Sequence, residues 1–229
     1  MLPKIDTPIF SFTQPSTGRD IRFRPFVVKE EKILMLASES GEYRDMVSAA
    51  QQVVQNCIVD EIDVSDFTIF DLQHLFLKVK SKSTGEIQSF QLGCGECKEK
   101  VKYDLNLEDI EVLGLEEEQK DLIPINETVA VKLKWPTAEL YTSENELDDA
   151  TIVAMCIDHV IDGEEIINIK EEPVEEVITF IENLPLNVYS DIKNFFLTMP
   201  RIEHVIEFTC PACSKENYIN ISGYEHFFG

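Results

Sequence analysis

Positive charge is what this chain has least of. It sets 20 lysines and arginines against 43 aspartates and glutamates, a formal net charge of −23 over 229 residues. Such a deficit repels phosphate backbones and anionic membrane surfaces, which makes nucleic acid and lipid poor partners. Long apolar runs are also missing, since no segment approaches the roughly 20 residues that a membrane-spanning helix needs. The opening MLPKIDTPIF lacks the basic-then-apolar layout of a secretory signal, and the expectation is a soluble, cytosolic protein. Cysteine is scarce, six in all, too few for a disulfide scaffold; in a reducing compartment, paired cysteines point to metal binding or redox work. The nine glycines fall at turns, and none builds a phosphate-cradling loop. No nucleophile, base and acid stand at a diagnostic spacing, and carboxylates are so abundant that no pair of them is informative. The chain is therefore not expected to be an enzyme.

What is present is an ample core composition, 44% apolar, with clear periodicity. Ile9 to Thr13 and Asp20 to Phe26 alternate around Pro15, Ser16, Thr17 and Gly18, which predicts a hairpin. Val28 to Ser40 reads as a helix with Ile33, Leu36 and Ala37 inward, stopped by Gly41. Arg44 to Val59 reads as a second, with Met46, Ala50, Val53, Val54 and Cys57 recurring at helical period, and Phe67 to Lys80 as a third. Ile87 to Leu92 and Val101 to Leu105 read as strands flanking CGEC. The second half repeats this order. VAVKLKWP stands where DIRFRPF stood, DDATIVAMCIDHVI is a helix with a late cysteine like MVSAAQQVVQNCIV, and SDIKNFFLTM corresponds to FDLQHLFLKV. HVIEFTCPACSKENYINI then answers IQSFQLGCGECKEKVKYDL. An acidic insert, DGEEIINIKEEPVEEVITFIENLP, reads as a loop plus one short helix begun by Pro173. The acidic stretch EVLGLEEEQKDLIP divides the halves, giving residues 1–115 (hairpin, three helices, first cysteine pair) and 116–229 (strand, helices, second pair).

The cysteine pairs carry the chemistry. A thioredoxin-like pair sits at the start of a helix whose dipole activates the thiol, but KEKVKYDL after Cys97 and SKENYINI after Cys213 alternate like strands. Strand, Cys-X-X-Cys turn and strand make a knuckle, with Gly93, Gly95 and Pro211 suited to the reversal. Each knuckle offers two thiolates, and a closed structural zinc site takes four. Cys94, Cys97, Cys210 and Cys213 are therefore the candidate ligands of one shared Zn2+, with Lys98, Lys100, Lys102 and Lys215 near enough to offset its negative charge. Structural thiols without metal, and redox or disulfide use, stand beside this reading. Cys57 and Cys156 fall on apolar helix stripes and are expected in the core. His74, His159, His204 and His226 offer no ligand pattern. The fold class that follows is α+β, mostly helical, with two pseudo-repeated halves joined at a shared four-cysteine zinc site.

Leu2 to Gly41, LPKIDTPIFSFTQPSTGRDIRFRPFVVKEEKILMLASESG, closely resembles the N-terminal signature of the T4-type bacteriophage baseplate protein family. The downstream NC, FDLQHLFLKVKSKSTGE, the two Cys-X-X-Cys pairs and the ending GYEHFFG also look like that family. The resemblance implies a baseplate hub assembly protein or chaperone whose partners are hub proteins, working in the host cytoplasm or residing in the virion baseplate. A structural hub subunit is the alternative, and the knuckles alone suggest a zinc-ribbon nucleic-acid regulator, which the charge opposes. Arg22, Phe23, Arg24 and Phe26 are candidate partner contacts, arginine and aromatics being enriched at interface hot spots; the competing reading puts both phenylalanines in the core. Phe227 and Phe228 are a second candidate anchor. A homo-oligomer sharing the metal between chains satisfies the same spacing.

Overall fold

The computed structural model describes residues 3, 5–116, 119–142 and 148–223. The chain forms two compact units, Met1–Leu113 with Arg201–Gly229, and Gly114–Pro200. The second is thus inserted into the first, a division different from one cut at 115/116, because the last strands return to the first unit.

In the first unit, β1 (Phe10–Thr13) and β2 (Asp20–Phe23) pair antiparallel with Phe10 opposite Phe23. Their turn is held by Asp71, a fully buried carboxylate that accepts from the Gln14 amide, the Ser16 backbone amide and hydroxyl, and the Thr68 hydroxyl. A buried charge is tolerated only with such a set of donors. Helix α1 (Val28–Ser40) ends at Gly41, whose φ of 71° is a left-handed conformation that favours glycine. Its buried residues are Glu30, Leu34 and Ala37, not the expected set that included Leu36. Glu30 accepts from the Val27 amide and pairs with Arg24 at 2.9 Å; this buried ion pair sets the phase of the helix and turns Leu36 out, 68% exposed. Helix α2 (Tyr43–Cys57) buries Met46, Ala50, Val53, Val54 and Cys57 as its period requires. Helix α3 (Ile69–Thr84) starts where the Thr68 side chain caps the Asp71 amide, and it buries Phe70, Leu72, Leu75 and Phe76. Then come β3 (Ile87–Gly93), β4 (Lys100–Asn106) and the short β5 (Val112–Leu113).

The second unit contains β6 (Leu122–Pro124), β7 (Val129–Leu133), α4 (Ala138–Thr142), α5 (Asp149–Met155), β8 (Ile157–Asp162), β9 (Glu165–Asn168), α6 (Val174–Glu182) and α7 (Leu186–Leu197). Its antiparallel sheet runs β6-β7-β8-β9. The helix expected through DDATIVAMCIDHVI stops at Met155, because Ile157–Asp162 pairs with β7 and sheet pairing overrides local propensity. Part of the expected loop is β9, joined to β8 by a two-residue turn with Gly163 at φ 62°, glycine's usual place in a II′ hairpin. Helix α6 follows Pro173 as expected. Val131, Leu133, Ile157, Val160, Val177, Ile181, Ile192 and Phe195 form the core between sheet and helices.

The chain then re-enters the first unit as β10 (Arg201–Thr209) and β11 (Glu216–Ser222), with Arg201 and Ile202 opposite Leu113 and Val112 of β5. The class is α+β. Helix exceeds strand, 40% against 29%, but the eleven strands among the described residues leave it short of a mostly helical fold. Among the described residues no helix is long and apolar enough to cross a membrane.

Candidate metal centre

Both cysteine pairs sit in hairpin turns of identical construction. The first turn joins β3 to β4 with Gly93 opposite Lys100; the second joins β10 to β11 with Thr209 opposite Glu216. In the first, the Cys94 amide donates to Glu99 O at 2.9 Å and the Lys98 amide to Cys94 O at 3.1 Å. The second repeats this, Cys210 to Lys215 O at 2.8 Å and Ser214 to Cys210 O at 2.9 Å. Lys98 and Ser214, each just after the second cysteine, have φ of 63° and 58°. The reversal is therefore made at these non-glycine residues rather than at Gly93, Gly95 or Pro211. A left-handed residue with a Cβ costs roughly 1–2 kcal/mol, so something else must hold the turns.

Four sulfurs converge between the two turns. Cys94 and Cys210 are buried, Cys97 and Cys213 exposed, and all four Sγ atoms lie within 4.8 Å of one another. The first cysteine of each turn meets the second of the other, Cys94 to Cys213 at 3.7 Å and Cys97 to Cys210 at 3.6 Å. Tetrahedral Zn–S bonds of about 2.3 Å put neighbouring sulfurs about 3.8 Å apart, so the spacing fits a single four-thiolate ion. Backbone amides already favour charge here: the Cys97 and Glu96 amides, with the Cys213 and Asn217 side chains, bring the Cys94 thiol down to about 6 against the opposing effect of burial. Cys97 is pushed up to about 12, because sharing with Cys213, burial and the other two sulfurs outweigh an amide from Glu99. Four crowded thiols without a counter-charge cannot all ionise. A divalent cation bound by these four side chains would supply that charge and tie one hairpin to the other. The lysines do less than expected, since Lys98 donates to Gly95 O at 3.0 Å and Lys102 pairs with Asp104 at 3.0 Å.

One residue was invisible in the sequence reading. Asn217, buried on β11, accepts from the Gly95 amide at 2.9 Å, donates to Lys215 O at 2.8 Å and approaches the Cys94 sulfur at 3.7 Å. It bonds both hairpins at once.

The other candidates are placed as follows. Cys57 and Cys156 are 0% and 1% exposed, and burial pushes their thiols up to about 11 and about 12. Each ends a helix in the same setting: the Arg24 amide donates to Cys57 O at 2.9 Å and the Lys134 amide to Cys156 O at 2.8 Å. No described histidine joins the sulfur cluster. Phe23 is 1% exposed and belongs to the core, a correction to its reading as a partner contact. Phe26 is half-buried. Arg22 is engaged with Asp60 and Arg24 with Glu30 and the Asn56 carbonyl. Phe227 and Phe228 lie outside the described residues.

A family model described as "T4 bacteriophage base plate protein" matches residues 7–229. No curated protein and no solved structure matches the chain.

Proposed function

The chain belongs to the T4 bacteriophage base plate protein family, and from that membership we propose that it is a non-enzymatic assembly factor, a chaperone for the central hub of the phage baseplate. It acts through contacts with hub proteins in the host cytoplasm, and its first unit is clasped by a structural zinc ion held by Cys94, Cys97, Cys210 and Cys213. The near-full-length family match carries this reading. The charge of −23 supports it, because an acidic body masks a basic surface until that surface meets its proper neighbour. The twin hairpins and the matched Cys57 and Cys156 settings support a chain built from two related halves. A second reading, a hub subunit retained in the virion, is favoured by the family's own description as a base plate protein.

Mass spectrometry of purified phage particles, alongside affinity capture of the tagged chain from infected cells, separates the two. The chaperone reading expects hub proteins in the capture and the chain absent or substoichiometric in particles. Stoichiometric recovery from particles selects the subunit, and capture without any baseplate protein rejects both.

A further inference from the structure

The second unit holds most of the charge deficit. Between Gly114 and Pro200 stand twenty acidic residues and five lysines, with no arginine. The imbalance is sharpest from Asp162 to Glu182, eight acidic residues against Lys170 alone. All eight are exposed, and among the described residues none forms an ion pair; the pairs of this unit join Lys132 to Asp121, His159 to Asp158 and Lys193 to Asp149.

That stretch also frames two adjoining apolar cavities, which share Ile169, Glu172 and Val177. One, of 140 Å³, is lined by Ala154, Met155, Ile157 and Val174, with Lys134 and Lys170 beside the shared Glu172. The other, of 240 Å³, lies among Val160, Ile167 and Phe180 with Glu176 at its edge. A cavity of about 150 Å³ with aliphatic and aromatic walls takes up benzene, so the first admits one leucine- or phenylalanine-sized group and the second a larger one. Beside them Val174 is 55% exposed and Ile166, on the edge strand β9, 67%. The charged residues on the second cavity are carboxylates alone, Glu172 and Glu176, and the stretch that frames both cavities sets eight acidic residues against Lys170, so these apolar anchor sites are complementary to an amphipathic segment with basic flanks. They are not complementary to nucleic acid, to an anionic membrane or to the same face of a second copy, each of which sets negative charge against negative charge.

We propose that these adjoining cavities, along α6 and the Ile169–Glu172 turn, form the docking groove for a lysine- and arginine-flanked segment of another baseplate protein, which seats one apolar side chain in each. The proposal rests on the reading of the chain as a baseplate assembly factor and says where that contact is made. Opposite charge at the rim speeds and orients the encounter, and the two anchors hold the complex.

The test uses the full chain in infected cells with the photoreactive p-benzoylphenylalanine in place of Val174. The expected cross-link falls in one baseplate protein, on a peptide with a net positive charge and two apolar side chains within two helical turns. Glu172→Lys with Glu176→Lys should lower its yield at least tenfold. Glu127→Lys with Glu139→Lys, an equal charge change at exposed sites of the same unit, should lower it less than twofold. Unchanged thermal midpoints show that the variants fold. Equal losses from the two charge reversals, a cross-link to a second copy of this chain, or a peptide without a basic surplus would overturn the groove. If position 174 gives no cross-link while the chain still captures a baseplate protein, the groove is wrong and the assembly reading stands. Capture of no baseplate protein removes both.

Discussion

Asn217 joins two hairpins whose contact residues are 122 positions apart in the chain. Its counterpart in the first hairpin, also four residues after the second cysteine, is Val101, so the lock is one-sided although the turns match. A side chain that orients a metal ligand through a hydrogen bond is typically worth 10–100-fold in metal affinity. Asn217→Ala should therefore weaken zinc binding by about that factor in competition with a chromophoric chelator. Cys57→Ala, in the same assay, should leave affinity unchanged and lower stability by about 1 kcal/mol through the small cavity it opens. Equal affinity in Asn217→Ala and the parent would show that the sulfurs alone set the site. The cysteines were legible because their spacing has few other uses. Asn217 was not, since an asparagine in an alternating strand reads as solvent-facing until a distant hairpin is packed over it.

Among the elements, the turn Leu107–Asp109 depends on α3 through one carboxylate. Glu108 is bonded by Lys78 at 2.9 Å, by Lys82 at 3.1 Å and by the Ser81 hydroxyl. Burial opposes its ionisation, but the bonds from Lys78, Ser81 and Lys82 overcome it and hold its pKa at about 2, below the ordinary 4.5. A carboxylate lowered in the folded state stabilises fully above its unfolded pKa and loses that contribution as pH falls through the folded value. Glu108→Gln should thus lower stability at pH 7 by about 2 kcal/mol, with the gap to the parent closing between about pH 4.5 and 2 in urea titrations. A gap constant across that range would mean that Glu108 acts by packing rather than charge. The same dependence on buried charge explains why the phase of α1 was misread. Hydrophobic periodicity counts Glu30 as outward, whereas its pairing with Arg24 places it at 0% exposure and rotates Leu36 to the surface. Helix α2, with no charge on its inner face, buries all five residues that its period names, and Val47 and Ala49 beside them.

For the whole molecule, the first unit is closed only when Arg201–Gly229 returns to Met1–Leu113. The β5–β10 pairing is two residues long, so a metal ion held by the four cysteines would be the stronger tie across that return. Structural zinc in small modules contributes roughly 10–16 kcal/mol of apparent binding free energy at neutral pH. Chelation should accordingly drop the thermal midpoint by about 10 °C or more. Cys94→Ser and Cys210→Ser should each lower bound metal, read by elemental mass spectrometry, and stability together. A variant that loses one pair yet keeps full metal content would show separate sites, and iron in place of zinc would change the ion but not the shared geometry.

By itself the sequence determined the helices and hairpins with clean periodicity, both Cys-X-X-Cys turns, the four cysteines that come together and the family, because each depends on neighbours close in the chain or on a spacing that few other structures use. Tertiary structure alone decided that the last two strands complete the first unit, that β8 replaces the end of a helix, that a charge lies on the inner face of α1 and that Asn217 bridges the turns. Those outcomes depend on which distant backbone and side-chain groups share the same space, and linear periodicity carries no term for a partner more than a hundred residues away.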